Sequence, residues 1–304
     1  MAKEVTVVYP AHPGERVVHY EGPEGKVWLS NSRTPGMPNV FCSWHACHNP
    51  EPGDSIYLME PIVVHTKDYD VNFLDRFHKI FGCFSRCFEG TKIQNKCVTV
   101  NYGSTLQPEN ADALKSKWKP WEERINGVVI VSSCKTSGHH CSTYHLREDL
   151  AQFFYKNGYQ VAWFGGIPNS KHQPYFKGFV QDKIGEIAKY KFHVCTENTY
   201  DVRHSYNYMT EKLPHGIEGG AVPLYMGCYN IEELVPGDSY FDLRPFVDQN
   251  KKLKEDLLLQ AIKRYSKEDF EKYQKAAYNF MKDPNGLFYH TDMRRIYRKM
   301  LEVL

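Results

Sequence analysis

Apolar and polar positions follow two different rhythms along this chain. Up to about residue 101, short apolar runs are separated by turn residues. Residues 5–9 and 25–30 predict strands, with Pro10, Pro13, Gly14 and the Gly22-Pro23 pair marking the turns between them. Residues 55–60 predict a further strand, ended by Pro61. From 71 to 88, Phe73, Leu74, Phe77, Ile80, Phe81 and Phe84 recur at three- and four-residue spacing, which predicts one helix with a single apolar face. Residues 97–101 predict a short strand. The polar stretch 106–124, with Pro108 and Pro120, predicts a linker. Beyond it strands and helices alternate: strand 127–133, helix 144–157, strand 160–164, helix 180–189, strand 191–196. That alternation predicts a parallel sheet covered by helices. Residues 250–304 predict a Lys- and Glu-rich helical end, interrupted at Pro284-Asn-Gly286.

Composition narrows the class without naming a chemistry. A chain of 304 residues with 41% hydrophobic and 24% charged residues can bury a full core in one or two domains. The formal net charge of +2 supplies no field for nucleic acid, so any basic site must be local. No apolar run approaches the roughly 20 residues needed to span a bilayer. The first nine residues read as a strand and lack a signal-peptide core. These features predict a soluble cytoplasmic protein, microbial or viral, whose nine cysteines are reduced thiols.

The most informative stretch begins at Tyr190-Lys-Phe-His-Val-Cys-Thr-Glu-Asn198, continues at Tyr208-Met-Thr-Glu-Lys212 and closes at Ala221-Val-Pro223. An apolar strand ending in a carboxylate and an amide, then a polar loop, then an acid–base doublet, suits a strand that opens onto a ligand. The pattern resembles the signature of the family 10 glycosyltransferases, the α-1,3/4-fucosyltransferases that use GDP-fucose. Leu234-Val-Pro-Gly-Asp-Ser239 and Phe241-Asp-Leu-Arg-Pro-Phe246 resemble the family's following segments. The loop between Asn198 and Tyr208 is four residues longer than usual in the family, and Leu213-Pro-His-Gly216 departs from its helix-forming residues.

The resemblance implies an α/β, GT-B-like fold of two Rossmann-like domains facing a cleft. Residues 1–110 would be the acceptor side, 125–248 the donor side, and 249–304 a helical extension. It implies an inverting transfer of fucose from GDP-fucose to a hydroxyl of a glycan acceptor, with no obligatory cofactor. Arg147 and Lys212 would meet the diphosphate, as a guanidinium fork and a point charge. Asn198 and Tyr208 would donate to phosphate oxygens, and Glu211 would accept from sugar hydroxyls. Glu60, followed by Pro61, resembles the family's Glu-Ser-Pro base without the Ser, and would take the acceptor's proton. Two alternatives stay open: the same fold using another GDP-sugar such as mannose or rhamnose, and a non-catalytic protein that binds a sugar nucleotide or glycan. A lone Arg or Lys on a helix is ordinarily a solvated surface charge, so the joint spacing carries the assignment.

Other groupings point elsewhere. Asp68-Tyr-Asp70 has the Asp-x-Asp form that holds a metal-bound diphosphate in other glycosyltransferases, but such pairs are common by chance. Cys42, His45, Cys47 and His48 form one Cys/His grouping, and Cys134, His139, His140 and Cys141 a second. Neither has paired Cys-x-x-Cys spacing, so buried thiols and solvent-facing histidines are the expectation, with no metal ligands. A zinc-stabilised interaction module is the remaining rival. The basic runs at 251–254 and 294–299 read as solvated helix faces.

Overall fold

The computed structural model of the chain describes residues 3–9, 16–43, 46–47, 49–102, 111–133, 135–166 and 173–304. It divides into two compact units. The first comprises Met1–Thr105, Asp201–Tyr208 and Asp292–Leu304; the second comprises Leu106–Tyr200 and Met209–Thr291.

In the first unit the strands are β1 (Lys3–Val8), β2 (Val17–Gly22), β3 (Gly25–Ser30), β4 (Asn39–Cys42), β5 (Ser55–Leu58), β6 (Ile80–Gly82) and β7 (Cys97–Thr99). They form one sheet in the order β2-β3-β1-β4-β5-β6-β7, parallel except for the β2–β3 hairpin. Every residue of β4, β5 and β6 is buried, as a parallel sheet covered on both faces requires. The hairpin turn ends at Gly25, where φ is +139° and a Cβ would lie 2.0 Å from the Lys3 carbonyl oxygen. Only glycine fits there.

The single helix expected over 71–88 does not form. That stretch holds a one-turn helix, α1 (Val71–Leu74), then β6, then a 3₁₀ turn at Ser85–Phe88. Asp70 caps α1 through its carboxylate, which accepts from the Asn72 and Phe73 amides. Phe77, Ile80, Phe81 and Phe84 are all buried, so the apolar side chains are not confined to one stripe. Pairing with β5 and β7 buries Ile80 and Phe81 on opposite faces of a strand, which outweighs the helical spacing.

In the second unit α2 (Ala111–Ser116) precedes β8 (Ile125–Val131), α3 (His145–Lys156), β9 (Gln160–Phe164), β10 (Phe176–Gly178), α4 (Lys183–Ile187) and β11 (Tyr190–Thr196). Then come α5 (Lys212–Glu218), β12 (Val222–Met226), β13 (Phe241–Asp242), α6 (Glu255–Arg264), α7 (Lys267–Lys282) and α8 (Leu287–Thr291). The expected 106–124 linker is docked instead: Ala111 and Leu114 are buried, and the Trp118 indole donates to the Glu218 carbonyl at 2.8 Å. Residues 103–110 lie outside the described residues.

All six strands of this second sheet are parallel, in the order β10-β9-β8-β11-β12-β13. Numbered within the unit, that is 3-2-1-4-5-6, the Rossmann order, and the strand order reverses between β8 and β11. Leu146, Leu150, Ala151, Phe153 and Phe154 of α3 lie on the core beside Val128 and Ile130 of β8. Helix α7 starts at a reciprocal capping box between Ser266 and Asp269.

The C-terminal stretch 249–304 is divided between the units. Helices α6 to α8 stay with the second, while α9 (Met293–Val303) belongs to the first. Ile296, Tyr297, Met300 and Leu301 of α9 pack with Val5, Val7 and Val27 of β1 and β3. Among the described residues, no helix is long and apolar enough to cross a membrane.

Candidate functional site

The reversal of strand order fixes where side chains converge in the second unit. Beyond the carboxyl ends of β8 and β11 the backbone must satisfy its own carbonyls, and Arg147 of α3 does so. Its Nη1 donates to the Ser133 carbonyl at 2.9 Å, and its Nη2 to the Thr196 carbonyl at 3.0 Å and to Asn198 Oδ1 at 2.7 Å. The guanidinium thus clamps the ends of the two strands that flank the reversal. Arg147 is only 1% exposed, so it is no solvated surface charge.

Side chains on alternate residues share one face of a strand. On β11 this rule aligns His193, Cys195 and, one residue past the strand, Glu197, all fully buried. The facing helix α5 is buried along its whole length, with Pro214 in its first turn, where no amide partner is lost. Glu197 is the hub. Its carboxylate accepts from the Thr210 amide and hydroxyl, both at 2.7 Å, and from Lys212 Nζ at 3.1 Å. Lys212 is 8% exposed and also donates to Thr210 Oγ1 at 2.9 Å.

Burial works against the Lys212 ammonium, but the carboxylates of Glu197 and Glu211 outweigh it and hold its pKa above the ordinary lysine value. Glu211 immediately precedes α5. Burial pushes its carboxyl up, yet Lys212 at 3.8 Å and Lys183 at 4.0 Å prevail and bring it down to about 2. Beneath them lie two neutral imidazoles. Burial, with the nearby lysine charges, drives His193 well below the ordinary histidine range and His215 to about 3. His193 Nδ1 lies 3.0 Å from Cys195 Sγ.

The group sets the cations Arg147, Lys183 and Lys212 among the carboxylates of Glu197 and Glu211, and Glu218 also acts on Lys183. Arg147 and Lys212, held at the strand ends, offer fixed positive charge to an anionic ligand. Of the six residues expected from the sequence, Arg147, Asn198, Glu211 and Lys212 come together here. Tyr208 falls in the first unit, fully buried, its ring 5.1 Å from Phe84 and 6.3 Å from Tyr102. Glu60 is also in the first unit, half-buried two residues past the carboxyl end of β5, where its backbone carbonyl accepts the Tyr69 hydroxyl at 3.0 Å.

Sequence reading noted Glu197 as the carboxylate at the strand end but gave it no role, and missed Thr210, Lys183, His193 and His215. For the role of Glu197 a signal existed: a carboxylate in register with Lys191, His193 and Cys195, opposite the face of Tyr190, Phe192 and Val194. Lys183 and His215 had none, because only the packing of α4 and α5 on β11 brings them in. The Asp68–Asp70 pair has local work: Asp70 caps α1, and buried Asp68 accepts from Ser43 Oγ at 3.3 Å. Of the two Cys/His groupings, His45 and His48 of the first and Cys134 of the second lie outside the described residues. His139, His140 and Cys141 do come together, with one ligand atom each within 4.8 Å of the others.

Comparison with known proteins places this geometry. The family described as glycosyltransferase family 10 (fucosyltransferase), C-terminal part, matches residues 128–281, which is 154 of 304 and just over half of the chain. A fucosyltransferase-like protein of Arabidopsis thaliana is 26% identical over 136 residues, covering 44% of this chain and 23% of the relative, so less than a quarter of that protein is represented. Crystal structures of an α1,3-fucosyltransferase, alone and with GDP-fucose, superpose with a TM-score of 0.52 at 14% identity, covering 99% of this chain and 90% of theirs. An α-glucosyltransferase in complex with UDP and a 13-mer DNA superposes with a TM-score of 0.57 at 11% identity, covering 88% and 79%. At these identities the likeness is one of fold, the GT-B-like α/β architecture expected from the sequence.

Proposed function

We propose that this chain, which belongs to glycosyltransferase family 10, the fucosyltransferase family, transfers fucose from GDP-fucose to a hydroxyl of a glycan acceptor with inversion at the anomeric carbon. The observation that carries the reading is the buried cationic group at the carboxyl ends of β8 and β11. It sits at the reversal of a Rossmann-ordered sheet, inside the segment that matches the family. Arg147 and Lys212 hold fixed positive charge for the diphosphate, and they stabilise it most as negative charge builds on the leaving GDP. Preorganisation is the point: Glu197, Thr210 and the strand-end carbonyls have already oriented both cations. The Asn198 amide contributes to phosphate binding. Glu211, kept ionised by Lys212 and Lys183, accepts from sugar hydroxyls.

In the chemical step the acceptor oxygen attacks the anomeric carbon, the bond to the diphosphate oxygen breaks, and Glu60 takes the acceptor's proton. Tyr208 remains the sequence-based candidate for a phosphate contact, and Tyr208→Phe isolates its hydroxyl while keeping the ring packed.

Melting of the full chain with GDP, GDP-fucose, GDP-mannose and UDP-glucose, followed by turnover assays, tests the reading. A ligand at a hundred times its Kd stabilises by about 2.7 kcal/mol, so the right donor stands out. GDP-fucose should raise the midpoint most and be consumed in the presence of a glycan acceptor. Stabilisation by UDP-glucose and not by GDP-fucose would overturn the donor assignment. Binding of GDP-fucose without turnover on any acceptor would make the chain a binding protein.

A further inference from the structure

We propose that the turn His139–Cys141 is a binding site for a thiophilic divalent metal ion of the zinc class. One nitrogen of His139, one of His140 and the Cys141 sulfur lie within 4.8 Å of one another. A tetrahedral zinc with nitrogen at about 2.0 Å and sulfur at about 2.3 Å separates those atoms by roughly 3.5 Å. His139 Nδ1 and Cys141 Sγ are 2.9 Å apart, so a small side-chain swing opens the pair to that spacing. The donor set of the turn is two imidazoles and a thiol. Such a set selects zinc-like ions over magnesium, calcium or manganese.

The backbone that presents these ligands is already held. The Cys141 carbonyl accepts from Thr199 Oγ1 at 3.1 Å and from the Tyr200 amide at 2.9 Å. Lys251 Nζ donates to the His140 carbonyl at 2.6 Å, and the Ser142 amide to the His139 carbonyl at 2.9 Å. Binding therefore needs no folding of the loop, only loss of the thiol proton: one ion in, one proton out. Cys141 is fully buried, His139 half-buried and His140 exposed, so the turn can be reached from solvent at His140.

The consequence is mechanical. Thr143, two residues on, donates its hydroxyl to the Glu197 carbonyl at 2.6 Å and its amide to the Asn198 carbonyl at 3.2 Å. An ion in the turn would brace the loop between β8 and α3 against the segment that bears the candidate anion site. This assignment departs from the expectation of no metal ligands, because spacing along the chain does not show that the two rings and the thiol converge.

Cobalt is the probe. Metal-stripped full-length protein titrated with Co²⁺ should develop a thiolate-to-cobalt charge-transfer band and the intense visible bands of four-coordinate cobalt, saturating near one equivalent. Zinc should displace the signal and raise the melting midpoint. Cys141→Ser should abolish the charge-transfer band. His140→Ala, at an exposed position, should weaken cobalt binding at least tenfold. Cys47→Ser should leave the titration unchanged. Absence of the band in the parent protein, its survival in both His140→Ala and Cys141→Ser, or its loss in Cys47→Ser would overturn the proposal. The readout does not use glycosyl transfer, so it stands apart from the donor and acceptor assignments.

Discussion

Replacing Lys212 by Met keeps the length of the side chain and deletes its charge. In the folded protein this takes the cation away from the Glu197 carboxylate, which has no exposed surface and among the described residues keeps the Thr210 amide and hydroxyl as donors. Breaking a buried ion pair from one side costs about 3–5 kcal/mol, because the surviving charge is left uncompensated. The two remaining hydrogen bonds place this case at the lower end, near 3 kcal/mol. For a unit of this size a loss of 1 kcal/mol lowers the melting midpoint by roughly 2–4 °C, so a fall of about 6–12 °C is expected. Glu197→Gln in the same background removes the stranded charge while Gln still accepts from Thr210, and most of the loss should be recovered.

GDP affinity separates structure from function. Lys212→Met should weaken GDP binding by about 1.5–3 kcal/mol, the range for a hydrogen bond to a charged group. The double variant should regain stability without regaining GDP affinity. Melting of the four members of the cycle, amide exchange along β11 and calorimetry with GDP provide the measurements. If the two single losses simply add, Lys212 and Glu197 are not coupled. If GDP binds the double variant as tightly as the parent, Lys212 is a structural ion-pair partner and the donor assignment fails.

Glu60→Gln should lower kcat by roughly 10²–10⁴ with little change in GDP affinity, since general-base assistance is of that size; parental turnover would remove Glu60 from the mechanism. Gly227→Ala places a Cβ 2.1 Å from Glu197 Cγ, so it should displace the hub and cost about 1–3 kcal/mol, read as an earlier melt together with weaker GDP binding. Acid should destabilise the second unit well above the carboxylate range. His193 and His215 are held neutral in the folded state, so between about pH 6.5 and 3 the unfolded chain binds more protons than the folded one, and stability falls with pH. Below about 4.5, loss of the Glu211 carboxylate adds to this as its folded pKa of about 2 is approached. His215→Gln should flatten the upper part of the profile, and an unchanged slope would show that the imidazole is charged when folded.

The sequence alone determined what lies within a strand or a turn of helix. Runs such as 160–164 and 190–196 are apolar and β-branched enough to be strands anywhere, and the amphipathic spacing of 144–157 suffices for α3. The joint spacing from Tyr190 to Pro223 identified the family and three residues that converge, Asn198, Glu211 and Lys212, because the motif encodes a strand end, a loop and a helix entry in one continuous stretch. Tertiary structure decided the rest. Whether 71–88 is a helix depended on a strand gap between β5 and β7 that buries Ile80 and Phe81 from both sides. The place of α9 depended on an apolar face on β1 and β3, roughly 270 to 290 residues earlier in the chain. The meaning of Lys212 also changed. A lysine beside a glutamate at a helix start is ordinarily solvated, but here α5 is buried entire and its first residue meets Glu197 across the strand end. Burial and charge pairing are properties of neighbours distant in sequence, and no local pattern encodes their energies.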